Sequence, residues 1–180
     1  AVTESFADAT TLWELVERRA AATPDMTLLI DESGASLTCA EFRDAALRAA
    51  AGFAERGVGA GTRVTWELPN RFETIIASFA LARLGAVQNP VLHFYRHKEV
   101  GYAIGATDAE FVLVPGTWSG FDFTAMVEEL TADSAINAGF GSAGERCMAI
   151  SVVVAVEPVA DDLIAAIEKR MATLRTGDGR

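Results

Sequence analysis

Apolar side chains recur along this chain in two rhythms, and their alternation divides the first 130 residues into short strands and helices. Leu12, Leu15, Val16 and Ala20 share one face at helical spacing. Thr11 stands three residues before Glu14, the spacing of a capping box, and Glu14 and Arg18 are placed for an i,i+4 ion pair, so a helix is predicted here, ended by Pro24. Thr27–Ile30 and Ala35–Leu37 are short strand candidates separated by a turn at Glu32-Ser-Gly34. Thr38 and Glu41 repeat the capping spacing ahead of a second helix with Phe42, Ala46, Ala49 and Phe53 on its apolar face, which stops at Gly57. A strand over Arg63–Leu68 closes at Pro69, and Arg71–Leu84 carries the clearest 3.6 period, through Phe72, Ile75, Ile76, Phe79 and Ala80. Gly85 caps it. Further strands at Ala86–Asn89 and Phe111–Val114, with helices at Glu99–Ala106 and Phe121–Leu130, complete the series.

Strands alternating with helices at this spacing predict an α/β fold, a layered N-terminal unit with a mostly parallel sheet. The four aromatic residues Trp13, Trp66, Phe72 and Phe79 are expected in its core, and Cys39 is expected to pack as a small apolar residue.

Composition narrows the function. The formal net charge is −10, which argues against nucleic acid or an anionic membrane as partner. No apolar run approaches the roughly 20 residues of a membrane span, and the start AVTESFADAT does not read as a secretion signal, so a cytoplasmic location is expected. Two distant cysteines make neither a disulfide framework nor a metal-ligand spacing, and His93 and His97 lack the carboxylates or thiols that would make them a metal site. The partners expected are small-molecule substrates.

Three stretches, LWELVERRAAATPD, SLTCAEFRDAALRAAAGFAERGVGAGTRV and LPNRFETIIASFALARLGAVQNPV, occur in the order and spacing seen in AMP-forming acyl-CoA synthetases. Residues 9–130 resemble the N-terminal part of that adenylate-forming superfamily, and YRHKEVGYAI and VPGTWSGFDF point to ligases of small or cyclic carboxylic acids. The resemblance implies a parent that uses ATP, magnesium and CoA to activate a carboxylate as an acyl-adenylate. Such enzymes hold the triphosphate with a Ser/Thr/Gly-rich loop ending in Pro-Lys, because backbone N–H groups and a lysine offset clustered negative charge. The glycine-rich words here, Gly57–Gly61 and Gly139–Gly144, do not end in lysine.

After Leu130 the character changes. Residues 132–180 contain Phe140-Gly-Ser-Ala-Gly144-Glu145-Arg146-Cys147-Met148-Ala149, an apolar stretch Ser151–Val156 and an amphipathic pattern over Val159–Leu174 carried by Leu163, Ile164, Ile167, Met171 and Leu174. This resembles the catalytic-cysteine segment of CoA-acylating methylmalonate-semialdehyde dehydrogenase, in the aldehyde dehydrogenase superfamily. It implies a helix-loop-strand-helix fragment of that type, with Cys147 as the nucleophile that attacks an aldehyde, NAD as hydride acceptor and CoA as acyl acceptor. Arg146 would bind the substrate carboxylate and favour thiolate; Glu145 would be structural. Ahead of residue 131 there is no dinucleotide-binding fingerprint.

The domain division expected is therefore 1–130, a partial AMP-binding N-terminal subdomain, and 131–180, a partial aldehyde dehydrogenase segment. The function expected is an enzyme-derived fusion of incomplete acid–CoA ligase and aldehyde dehydrogenase, without turnover on its own and holding no cofactor alone. Two alternatives stand beside it: a working NAD-dependent, CoA-acylating (methyl)malonate-semialdehyde dehydrogenase that uses Cys147 with a partner chain, and a non-catalytic acyl- or nucleotide-binding module. The first hypothesis further expects the C-terminal helix to keep its amphipathic pattern without its native groove.

Overall fold

The computed structural model describes residues 8–140 and 160–175 and the single positions 153 and 177. These divide into two compact units, Ala1–Tyr95 with Tyr102–Leu113, and Arg96–Gly101 with Val114–Arg180.

The first unit opens with α1 (Leu12–Ala22). Its cap departs slightly from the expected box. The Thr11 hydroxyl accepts from the Glu14 N–H at 3.0 Å, but the Glu14 carboxylate accepts from the N–H and hydroxyl of Thr10, at 2.8 and 3.1 Å. Arg18 then pairs with both Glu14 and Asp8. The strands β1 (Thr27–Ile30) and β2 (Ser36–Thr38) form an antiparallel ribbon with an irregularity between Thr27 and Leu29. Thr38 and Glu41 make the complete reciprocal box at the head of α2 (Cys39–Glu55).

The parallel sheet follows, with strand order β4-β3-β5 from β3 (Arg63–Trp66), β4 (Val87–Pro90) and β5 (Phe111–Leu113). Pro90 closes β4 opposite Trp66. Proline is tolerated at the end of an edge strand, where no ladder bond needs its missing N–H.

Between β3 and β4 runs α3 (Phe72–Leu84), apolar on more than one side. Its Ile75, Ile76 and Phe79 pack on the cluster of Trp13, Val16, Phe42 and Ala46, while Leu81 and Leu84 join a second cluster around Val58 and Val64. A helix without a wet face belongs between layers. Gly85, at φ +71°, ends it in the left-handed conformation with Ala60 packed 3.5 Å from where a Cβ would stand. Burying each large side chain such as Phe42 or Leu81 contributes about 1.5–3 kcal/mol, so these clusters carry the unit. Helix α4 (His97–Thr107) has residues in both units.

In the second unit β6 (Thr117–Trp118) and β7 (Phe121–Asp122) form a minimal hairpin. Its turn residues Ser119 and Gly120 have φ of 49° and 76°. Positive φ at both turn positions matches the twist of a two-residue hairpin, and Ser-Gly was the legible but unread signal.

The Asp122 carboxylate accepts from the N–H groups of Thr124 and Ala125, both at 3.0 Å, and starts α5. This helix spans Phe123–Phe140, not Phe121–Leu130. It crosses the expected boundary at 130/131, and Ala132 and Ile136 beyond that point are buried, as Phe123 and Met126 are before it.

Helix α6 (Ala160–Met171) packs beside α5, and its Arg170 pairs with Asp133. None of the α6 residues is buried, and Ile164, Met171 and the following Leu174 are exposed. Its apolar positions keep their helical spacing.

Candidate functional site

The carboxyl ends of parallel strands are where open α/β sheets gather ligands. Here β3, β4 and β5 form that sheet, and polar side chains along it bond to the helices packed on it. Thr65, fully buried on β3, accepts a hydrogen bond from the Asn89 amide at 3.1 Å, and its hydroxyl lies 3.4 Å from that of Thr107. The Asn89 amide and the Thr107 hydroxyl both donate to the carbonyl of Ala103, at 3.3 and 2.8 Å. On the other side of β3, the Trp66 indole donates to Gln88 at 3.1 Å, and Gln88 donates to the Ser78 carbonyl at 2.9 Å. These bonds tie strand to strand and helix to sheet. They position a scaffold.

One residue at this edge was not singled out from the sequence. Glu67 directly follows β3, is fully buried, and its N–H donates to the Leu113 carbonyl at 2.9 Å. A carboxylate inside the apolar word RVTWELP was the available signal.

Elsewhere in the first unit Cys39 is 1% exposed, with the Thr23 hydroxyl 3.9 Å from its sulfur, which is the setting of a packing cysteine. Trp13 is buried, Phe79 meets Phe42 edge-on at 5.3 Å, and Trp66 and Phe72 are half-buried. In the second unit Arg96 lies over the rings of Phe121 and Phe123, at 4.1 and 5.2 Å, and the His97 ring nitrogen lies 3.0 Å from the Glu129 carboxylate. Among the described residues no three metal-ligating side chains of His, Cys, Asp or Glu cluster together. No helix there is long and apolar enough to cross a membrane.

Cys147 and Arg146, the nucleophile and carboxylate partner implied by resemblance, lie outside the described residues, as do Glu145 and all but Val153 of the expected strand Ser151–Val156.

Comparison with known proteins finds two kinds of relative. The chain is 38% identical over 97 residues to a salicyl-AMP ligase / salicyl-S-ArCP synthetase of Mycobacterium tuberculosis, covering 54% of this chain and 17% of that protein. It is also 49% identical over 51 residues to malonate-semialdehyde dehydrogenase 2 of Geobacillus thermodenitrificans, covering 28% of this chain and 11% of that protein. The chain thus spans less than a fifth of either relative. Its fold matches a putative long-chain-fatty-acid CoA ligase from Rhodopseudomonas palustris with a TM-score of 0.55 and 31% identity, covering 58% of this chain and 26% of that one. Residues 9–130 resemble the N-terminal part of adenylate-forming enzymes, and residues 132–180 resemble the dehydrogenase cysteine segment. The family model of AMP-binding enzymes matches residues 16–174, and the chain belongs to the AMP-binding enzyme family.

Proposed function

We propose that this polypeptide is an enzyme-derived fusion, an acyl-adenylating N-terminal scaffold joined to the cysteine segment of a CoA-acylating semialdehyde dehydrogenase, without turnover on its own. The observation that carries the reading is the pair of partial matches, 17% of a salicyl-AMP ligase and 11% of a malonate-semialdehyde dehydrogenase. Each supplies a portion of a site. The ligase portion has the strands and helices that frame an acyl-binding domain, but the 180 residues contain no glycine-rich loop ending in Pro-Lys to hold a triphosphate. The dehydrogenase portion has Cys147 and Arg146, but no dinucleotide fingerprint precedes residue 131 to bring a nicotinamide to the sulfur. Oriented binding and oxyanion stabilisation each supply several kcal/mol of a catalysed barrier. A cysteine segment without them keeps a nucleophile and loses most of the rate.

If a partner supplied the missing parts, the chemistry would be that of the parents: ATP with magnesium and CoA on the ligase side, NAD and CoA on the dehydrogenase side. Three measurements on the purified chain test the reading. Residues 99–146 contain no lysine or arginine before Arg146, so one tryptic peptide crosses the boundary at 130/131, and its detection by mass spectrometry is expected. NADH formation from malonate semialdehyde with NAD and CoA is expected to match a protein-free control. So is salicylate-dependent exchange of pyrophosphate into ATP. CoA-dependent NADH formation that disappears in Cys147→Ser would overturn the proposal in favour of a working dehydrogenase.

A further inference from the structure

We propose that α6 is an electrostatically latched strap, held on α5 by opposite charges across a loosely packed gap and released as ionic strength rises. The gap between the two helices has a volume of ≈ 430 Å³, whereas tightly packed interiors leave few voids larger than a water molecule. Along it lie Ala125 and Ala132 of α5 and Ala165 and Ala166 of α6, side chains that end at Cβ and are too short to fill it. On α6, Leu163 and Ile167 are only half-buried, and Ile164 and Met171 are exposed. Apolar burial therefore contributes little to holding this helix in place.

Charge is sorted across the gap. The α5 wall supplies Glu128, Glu129 and Asp133, and the α6 wall supplies Lys169 and Arg170, so each wall carries one sign. Arg170 pairs with Asp133, and their side chains are 49% and 42% exposed. The Glu129 carboxylate also meets the His97 ring nitrogen at 3.0 Å. Charges open to water in this way attract weakly as lone pairs, more strongly as a network, and less as salt screens them.

The same residues bear on the helix itself. Asp161 and Asp162 stand in the first turn of α6, and Lys169 and Arg170 in its last, an order that complements the helix dipole. Yet a helix of 12 residues is marginal in water without a partner. Once released from α5, α6 frays, and its amide protons exchange with solvent. Docking is thus readable as protection of Ala160–Met171. The strap lies wholly within the second unit and stands whether or not the fusion reading holds.

The test is amide hydrogen exchange of the full chain in sodium chloride from about 0.01 to about 1 M, which shortens the screening length from about 30 to about 3 Å. Exchange through Ala160–Met171 should quicken about three- to tenfold over that range, while Phe72–Leu84 of the first unit stays unchanged. Asp133→Arg, which sets like charges face to face, should quicken α6 exchange at low salt and abolish its acceleration by salt. Adding Arg170→Asp to that variant restores opposite signs and should recover part of the lost protection. Glu128→Lys, on the same wall, repeats the test should Asp133→Arg disturb α5. The proposal is overturned if α6 responds to salt no more than Phe72–Leu84, or exchanges at unprotected rates already at low salt. A double variant that exchanges as fast as Asp133→Arg alone would overturn it too.

Discussion

Thr38 and Glu41 show how much one local pair of side chains decides. The Thr38 N–H donates to the Glu41 carboxylate at 2.8 Å, and the Glu41 N–H donates to the Thr38 hydroxyl at 3.2 Å. Two helix-end donors that would otherwise seek water are satisfied at once. Thr38→Ala is expected to lower stability by about 1 kcal/mol, read as a lower urea midpoint at unchanged slope. The same contact shifts a titration. The Thr38 backbone N–H, and after it the hydroxyl, hold the Glu41 carboxyl below its ordinary value of 4.5. Glu14 is held down by the Thr10 N–H and then Arg18, and Asp31 by the Ser33 hydroxyl first. A depressed carboxyl binds its proton more weakly when folded, so its contribution is present above the ordinary value and fades as pH falls through the folded one. Stability of the first unit is therefore expected to decline below pH 4.5. In Glu41→Gln that acid-side decline should be shallower, and equal declines in both proteins would show that Glu41 contributes nothing to it.

At the scale of elements, the helices and the parallel sheet of the first unit were legible because boundaries have local causes: Thr38 opens α2, Gly85 closes α3, and the buried face of α2 repeats at 3.6 residues. Cys39, Phe42, Ala46 and Ala50 form the buried stripe of α2, with Ala50 in the place expected for Ala49. Periodicity locates a face to within a residue, not the partner that meets it. The end of α5 was not legible, because a change of sequence character near Leu130 does not require a change of backbone. What decides continuation is whether the next residues find packing of their own, and Ala132 and Ile136, 2% and 4% exposed, do so. Glu67 was missed for a related reason: burial of a carboxylate is set by the strands beside it, not by its own word. Of the candidate site, Cys147 and Arg146 were expected from a motif alone and lie outside the described residues, since an isolated word does not carry the pocket around it. The helices of the second unit make the contrast measurable. Ile136→Ala should cost 2–5 kcal/mol as a buried large-to-small change, whereas Ile164→Ala, at 52% exposure on α6, should stay within about 0.5 kcal/mol. Equal costs at both positions would mean that α6 is enclosed after all.

For the whole molecule, the division into two units predicts how stability is distributed. Each has its own buried anchors: Phe42, Val64 and Leu81 in the first, Val100, Phe123 and Met126 in the second, all 2% exposed or less. Cooperative opening follows such clusters, because removing one member loosens its neighbours and leaves separately packed segments as they were. Leu81→Ala and Met126→Ala each delete a buried side chain, at an expected cost of about 2–5 kcal/mol. In native-state hydrogen exchange, Met126→Ala should speed exchange through Phe123–Phe140 and leave Phe72–Leu84 unchanged, and Leu81→Ala should do the reverse. The segment that decides the matter is 131–140, which follows the resemblance boundary but lies within α5. If it loses protection together with Phe123–Leu130 when Met126 is truncated, the residues on either side of the boundary fold as one helix, and the join is built into the second unit's core. If 131–140 exchanges at unprotected rates even in the parent chain, α5 ends near Leu130 in solution, and the two resemblances meet at a frayed end instead of inside a helix.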